Sequence, residues 1–66
     1  MDKFGTILRH LRLSYKFTQK ELSKQIGVTD RSIRDWENRG VEPCYDTLIR
    51  LADIFDVTLD ELLGRE

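Results

Sequence analysis

The sequence predicts an all-α fold of five short helices, and three observations carry that expectation. Thr18 with Glu21, and Thr58 with Glu61, both form the Thr-x-x-Glu pattern in which a hydroxyl and a carboxylate satisfy the donors that a helix start leaves orphaned. Apolar residues recur at helical spacing, as Phe4, Leu8 and Leu11 in the first segment and as Leu48, Leu51, Ala52 and Phe55 in the fourth. No alternating apolar run is long enough to propose a strand. A chain of 66 residues with 39% apolar content can fill one modest core but not two, so residues 1–66 are expected to form a single domain.

Taken along the chain, the first helix is expected near 3–14, carrying the Phe4, Leu8 and Leu11 stripe. The second, near 19–26, opens at Thr18 and turns Leu22 and Ile26 inward. Gly27 stands just past its last periodic residue, where a left-handed backbone costs glycine least, so the helix stops there. Val28 plugs the corner and Thr29 is the N-cap of a third helix near 30–38. Two helices joined this tightly must cross steeply as a helix-turn-helix, with the small Ser23 at the crossing point. The fourth helix is expected near 45–55. The fifth, near 59–63, follows Thr58 and carries Leu59, Leu62 and Leu63. An ordinary helical hairpin in an all-α domain would show the same local signals.

Successive residues lie about 100° apart on a helix, which separates the third helix into two faces. Ile33, Trp36 and the flank of Glu37 form one; Arg31, Arg34, Asp35 and Asn38 form the other, which should point outward. Without the turn that precedes it, such a face reads first as a solvated helix surface. Trp36, on the inner face, reads as core rather than as a platform for stacking bases, which needs an exposed ring.

The net charge of −1 hides an uneven distribution. Residues 1–40 carry nine Lys or Arg against five Asp or Glu, giving +4, and residues 41–66 carry two against seven, giving −5. That polarity suits a molecule that turns its N-terminal half toward phosphates. No apolar run approaches the 18 residues or so of a membrane span, and charges are scattered through residues 1–20, so a cytoplasmic protein without membrane contact is expected. The single Cys44 cannot form an internal disulfide, and with His10 alone there is no metal-binding cluster. Glycines at 5, 27, 40 and 64 make no phosphate-binding loop and no nucleophile–base pair is in view, so neither an enzyme, a cofactor nor a small-molecule ligand is expected.

The residues Gln19, Leu22, Ser23, Ile26-Gly27-Val28, Ile33, Trp36 and Glu37-Asn38 resemble the Cro and lambda-repressor-like helix-turn-helix family, also called the XRE family of bacterial and phage regulators. The likeness continues through Glu42-Pro43, Asp46-Thr47-Leu48, Leu51-Ala52 and Val57-Thr58-Leu59-Asp60-Glu61-Leu62-Leu63, so it spans nearly the whole chain. It implies the five-helix lambda-repressor-like DNA-binding fold. The implied function is sequence-specific binding of a double-stranded DNA operator by a transcriptional regulator, a repressor first, that reads the major groove with helix 30–38.

On that resemblance, Thr29, Asp30, Arg31, Arg34 and Asp35 match positions that touch bases or the nearby backbone. Arg31 is the foremost base reader, because a guanidinium can bridge O6 and N7 of guanine, worth about 1–3 kcal/mol against the wrong base. Arg34 can instead hold a phosphate. Asp30 and Asp35 meet phosphate repulsion unless they accept from cytosine's amine or orient an arginine. Asp30 also suits a helix N-terminus electrostatically. Gln19 matches a phosphate-contacting glutamine, Asn38 a position near the backbone, and Arg39 follows it where the chain leaves the helix; Lys20 adds phosphate attraction. Glu37 would be costly to bury alone. Its expected partner is Arg12, the pair matching one that bridges helices in the family.

The resemblance also has departures. Cys44 occupies the place of a serine N-cap and is a weaker acceptor, so the fourth helix should start less firmly. Lys16 stands where many members have glycine, and Arg39-Gly40 replaces a glycine directly after Asn38; either can shift a turn by one residue. The last two helices hold more apolar residues than a small core readily hides, which makes Tyr45, Val57 and Leu63 candidates for a homodimer surface on a pseudo-palindromic site. For Leu59 and Leu62, simple core packing is the expectation. The alternative to DNA binding is a protein-interaction module on the same fold, such as an antitoxin-like or regulator-binding domain, suggested by Asp30 and Asp35.

Overall fold

In the computed structural model, residues 3–65 are described, and five helices follow in order: α1 Lys3–Ser14, α2 Gln19–Ile26, α3 Asp30–Asn38, α4 Tyr45–Phe55 and α5 Leu59–Leu63. Each boundary has a local cause. Thr18 Oγ1 accepts from the Glu21 N–H at 3.0 Å while Glu21 Oε1 accepts from the Thr18 N–H at 2.8 Å, a complete reciprocal cap for α2. Thr58 and Glu61 repeat it for α5. Thr29 caps α3 by accepting from the Ser32 N–H at 3.1 Å. Cys44 sits at the N-cap of α4 and makes no cap hydrogen bond, in line with the weak acceptor strength of a thiol.

The C-termini close by left-handed residues. Gly27 ends α2 at φ 77° and Gly64 ends α5 at φ 72°. The substitution of Lys16 for a family glycine does not shift the first turn. Lys16 itself takes φ 61°, with its N–H donating to Leu13 O and the next N–H, of Phe17, donating to Arg12 O. A side chain there costs on the order of 1 kcal/mol relative to glycine. After α3 the left-handed residue does come one position late: Arg39 has φ −118° and Gly40 has φ 72°.

The helices enclose one core of Phe4, Leu8, Leu22, Ile26, Ile33, Trp36, Leu51, Ala52, Phe55 and Leu62. Every helix contributes to it, and five of these leucine and isoleucine side chains have no exposed surface, each worth about 1.5–3 kcal/mol of burial. α3 packs against both α1 and α2, and α5 packs against α1 and α4. Leu59, half-buried, packs on this core, and Leu62 is fully inside it.

Candidate nucleic-acid interface

The position of α3 is fixed by two contacts on its inner side. The first is a close approach: a β-carbon added at Gly5 would lie 2.6 Å from Trp36 O and 2.9 Å from Glu37 O, so α1 presses its backbone against the end of α3 where no other residue fits. The second is polar. Arg12 Nε donates to Glu37 Oε2 at 2.6 Å, Arg12 Nη2 to Oε1 at 3.1 Å, and Gln19 Nε2 to Oε1 at 3.2 Å. Arg12 Nη1 donates to Phe17 O at 3.0 Å.

The Glu37 side chain is 1% exposed and that of Arg12 10%, a depth at which an unpartnered charge would be expensive. Three helices therefore meet at one carboxylate. A fork-to-fork Arg–carboxylate pair also restricts orientation, so the bridge sets the angle of α3 against α1 and α2 as well as neutralising charge.

The opposite side of α3 is open. Asp30, Arg31, Arg34 and Asn38 are exposed and Asp35 is half-buried, while Ile33 and Trp36 are buried. Among the described residues no ion pair joins Asp30 to Arg34 or Arg31 to Asp35, although both pairs sit one helical turn apart. Thr29 is exposed, but its hydroxyl is held locally, 3.1 Å from Ser32 Oγ and accepting the Ser32 N–H. Gln19 and Lys20 open α2 beside this face: Lys20 is exposed, and Gln19 is half-buried because one of its two amide N–H groups is committed to Glu37. Arg39 is exposed at the exit from α3.

The two candidate regions differ in how much they present. Tyr45 is 66% exposed, whereas Val57 and Leu63 are half-buried and pack against the core. Sequence reasoning missed Val41, exposed before α4, and Ile49, at the edge of exposure one turn into that helix from Tyr45. It also missed Gly5, for which an isolated glycine inside a helical pattern was the available signal, and Arg50, whose Nη1 donates to Ile26 O at 3.2 Å across 24 residues with no sequence signal at all.

The sequence profile of the helix-turn-helix family matches residues 8–62, which take in all of α2 to α4 and most of the flanking helices. The chain belongs to the XRE helix-turn-helix family. Among proteins similar to this XRE-family chain, the HTH-type transcriptional regulator YobD of Bacillus subtilis is 37% identical over 57 residues, covering 86% of this chain and 51% of YobD. The HTH-type transcriptional regulator YqaE of the same organism is 36% identical over 63 residues, covering 96% of this chain and 54% of YqaE. The chain thus spans about half the length of these relatives. Among solved structures, the P22 c2 repressor bound to a synthetic operator superposes with a TM-score of 0.89 at 29% identity, covering 100% of both chains.

Among the described residues, no helix is long and apolar enough to cross a membrane, and no three His, Cys, Asp or Glu side chains gather into a group able to hold a metal ion.

Proposed function

We propose that this XRE-family chain binds double-stranded operator DNA in a sequence-specific way and regulates transcription, with repression the primary mode, by laying α3 in the major groove. The observation that carries the reading is the construction of α3: one side is clamped by Gly5 and by the Arg12–Glu37–Gln19 cluster, and the other presents charged side chains that form no ion pair among the described residues. A rigid helix with an outward polar edge is what reading base edges requires. The P22 c2 repressor, which binds an operator, shares the fold over its whole length.

In this reading Arg31 reads guanine, with Arg34, Asp35, Asp30 and Thr29 around it at bases or the adjacent backbone. Gln19 uses its second amide N–H, together with the α2 N-terminus, on a phosphate. Lys20, Asn38 and Arg39 flank it on the backbone. The protein works as a cytoplasmic homodimer with half-sites about 34 Å apart, one helical turn of the duplex, and the exposed Tyr45 is the foremost residue of the dimer surface. No catalytic step enters the mechanism.

Selection from a random duplex library at moderate salt tests the reading. Enrichment of a two-fold-related motif is the expected result; a folded protein that enriches nothing would move the protein-interaction reading ahead. With the enriched site in hand, Gln19→Ala should weaken binding to all sequences alike, whereas Arg31→Ala should relax choice at one base position.

A further inference from the structure

We propose that the half-site read by α3 is G·C-rich, with guanine opposite Arg31 and cytosine opposite Asp35. This rests on the DNA-binding reading above and goes beyond it to the chemistry of the bases. The outer face of α3 offers a short inventory of groups that can donate or accept. On a helical projection Arg31 lies almost diametrically opposite Ile33 and Trp36, and Asp35 follows one turn later, about 40° round and about 6 Å along the axis. At 3.4 Å per base step, that offset spans fewer than two base pairs.

Among the described residues, neither side chain enters a hydrogen bond or an ion pair. The groups that would read A·T pairs are missing from this part of the face. Adenine is matched by Asn or Gln, and the one such residue of α3, Asn38, is its last, at the far end from the N-terminal turns that approach base edges. The hydroxyls of Thr29 and Ser32 are engaged with one another. Thymine's methyl needs an apolar partner, and Val28, the apolar residue of the turn, packs against the core.

What remains is arginine and aspartate. A carboxylate on a face that meets a polyanion weakens binding wherever it finds only acceptors, and it gains a partner at the exocyclic amine of cytosine. The face therefore selects C at that position, by repulsion from G and T and from the N7 acceptor beside adenine's amine as much as by attraction. Asp30 differs from Asp35: it lies in the first turn, where a negative charge offsets the helix dipole without any DNA.

The test repeats the duplex selection with the wild-type chain, Arg31→Ala and Asp35→Asn. An amide in place of the carboxylate pairs with adenine N6 and N7, so Asp35→Asn should convert one cytosine column to adenine, a change of roughly tenfold in relative affinity. Arg31→Ala should flatten a guanine column within two base pairs of it. An A·T-rich wild-type motif, or an Asp35→Asn motif identical to the wild type, would overturn the proposal while leaving DNA binding intact. Absence of any enriched motif from folded wild-type protein would overturn both, and thermal unfolding of each variant establishes that it is folded.

Discussion

The helices on either side of the Gly27 turn and the helix α4 are secured by different means. α2 opens with a reciprocal Thr18–Glu21 cap and ends on a left-handed glycine, and α3 opens on Thr29, so the turn is written in the side chains next to it. α4 opens on Cys44 without a cap bond and ends on Asp56 at φ 54°, a non-glycine in a left-handed conformation. Distant residues tie it in instead: Tyr15 Oη donates to Phe55 O at 2.9 Å, its ring meets that of Phe55 edge-on at 5.1 Å, and Arg50 reaches from α4 to Ile26 O at 3.2 Å. The helix ends that flank the turn are locally determined, with the long-range Arg12–Glu37 bridge then setting the angle of α3, while both ends of α4 lack such local support and depend on the assembled molecule. Local termini hold even when the rest fluctuates; long-range bonds form and break with the whole fold.

The strongest way to erase that contrast is to loosen α3. Glu37→Ala leaves the Arg12 guanidinium buried without its partner and should cost about 3–5 kcal/mol, read as a lower urea midpoint at unchanged slope. Next come the caps: Thr18→Ala should cost about 1 kcal/mol, whereas Cys44→Ala should cost almost nothing and Cys44→Ser should gain up to about 1 kcal/mol by supplying the missing acceptor. Equal losses for Thr18→Ala and Cys44→Ala in thermal unfolding would dissolve the distinction. Lys16→Gly relieves a positive φ at the cost of a freer unfolded chain, and a net gain of about 0.5 kcal/mol or more is expected in the same measurement.

The smallest effect is chemical. The Cys44 thiol is held below the usual thiol pKa, chiefly by its hydrogen bond with the Thr47 hydroxyl at 3.4 Å. A lowered pKa means more thiolate at a given pH, so alkylation of Cys44 should begin at lower pH than in a free cysteine, and Thr47→Val should move that onset upward.

How much of this was readable in the sequence follows from the range of each cause. The bounds of α2, α3 and α5 came from Thr18, Gly27, Thr29 and Thr58, whose effects act within four residues. The outward face of α3 followed from helical periodicity, and the exposures of Arg31, Arg34 and Asn38 agree with it. The Arg12–Glu37 bridge joins residues 25 apart; the cost of burying Glu37 required a partner, but only family resemblance picked Arg12. Arg50 to Ile26 and Tyr15 to Phe55 were unreadable, because a backbone carbonyl leaves no trace in the sequence of what will reach it. Gly5 was visible as an irregularity, but its role depends on how closely α1 and α3 approach.

Trp36 is the one tryptophan in the chain and is only 6% exposed, on the inward side of α3. An intrinsic fluorophore thereby stands where it is shielded from whatever occupies the outward side of α3. Its emission should stay blue-shifted as duplex is added and move red only when the core opens, so a single cuvette can follow unfolding of the protein in the presence of its ligand without a signal from occupancy.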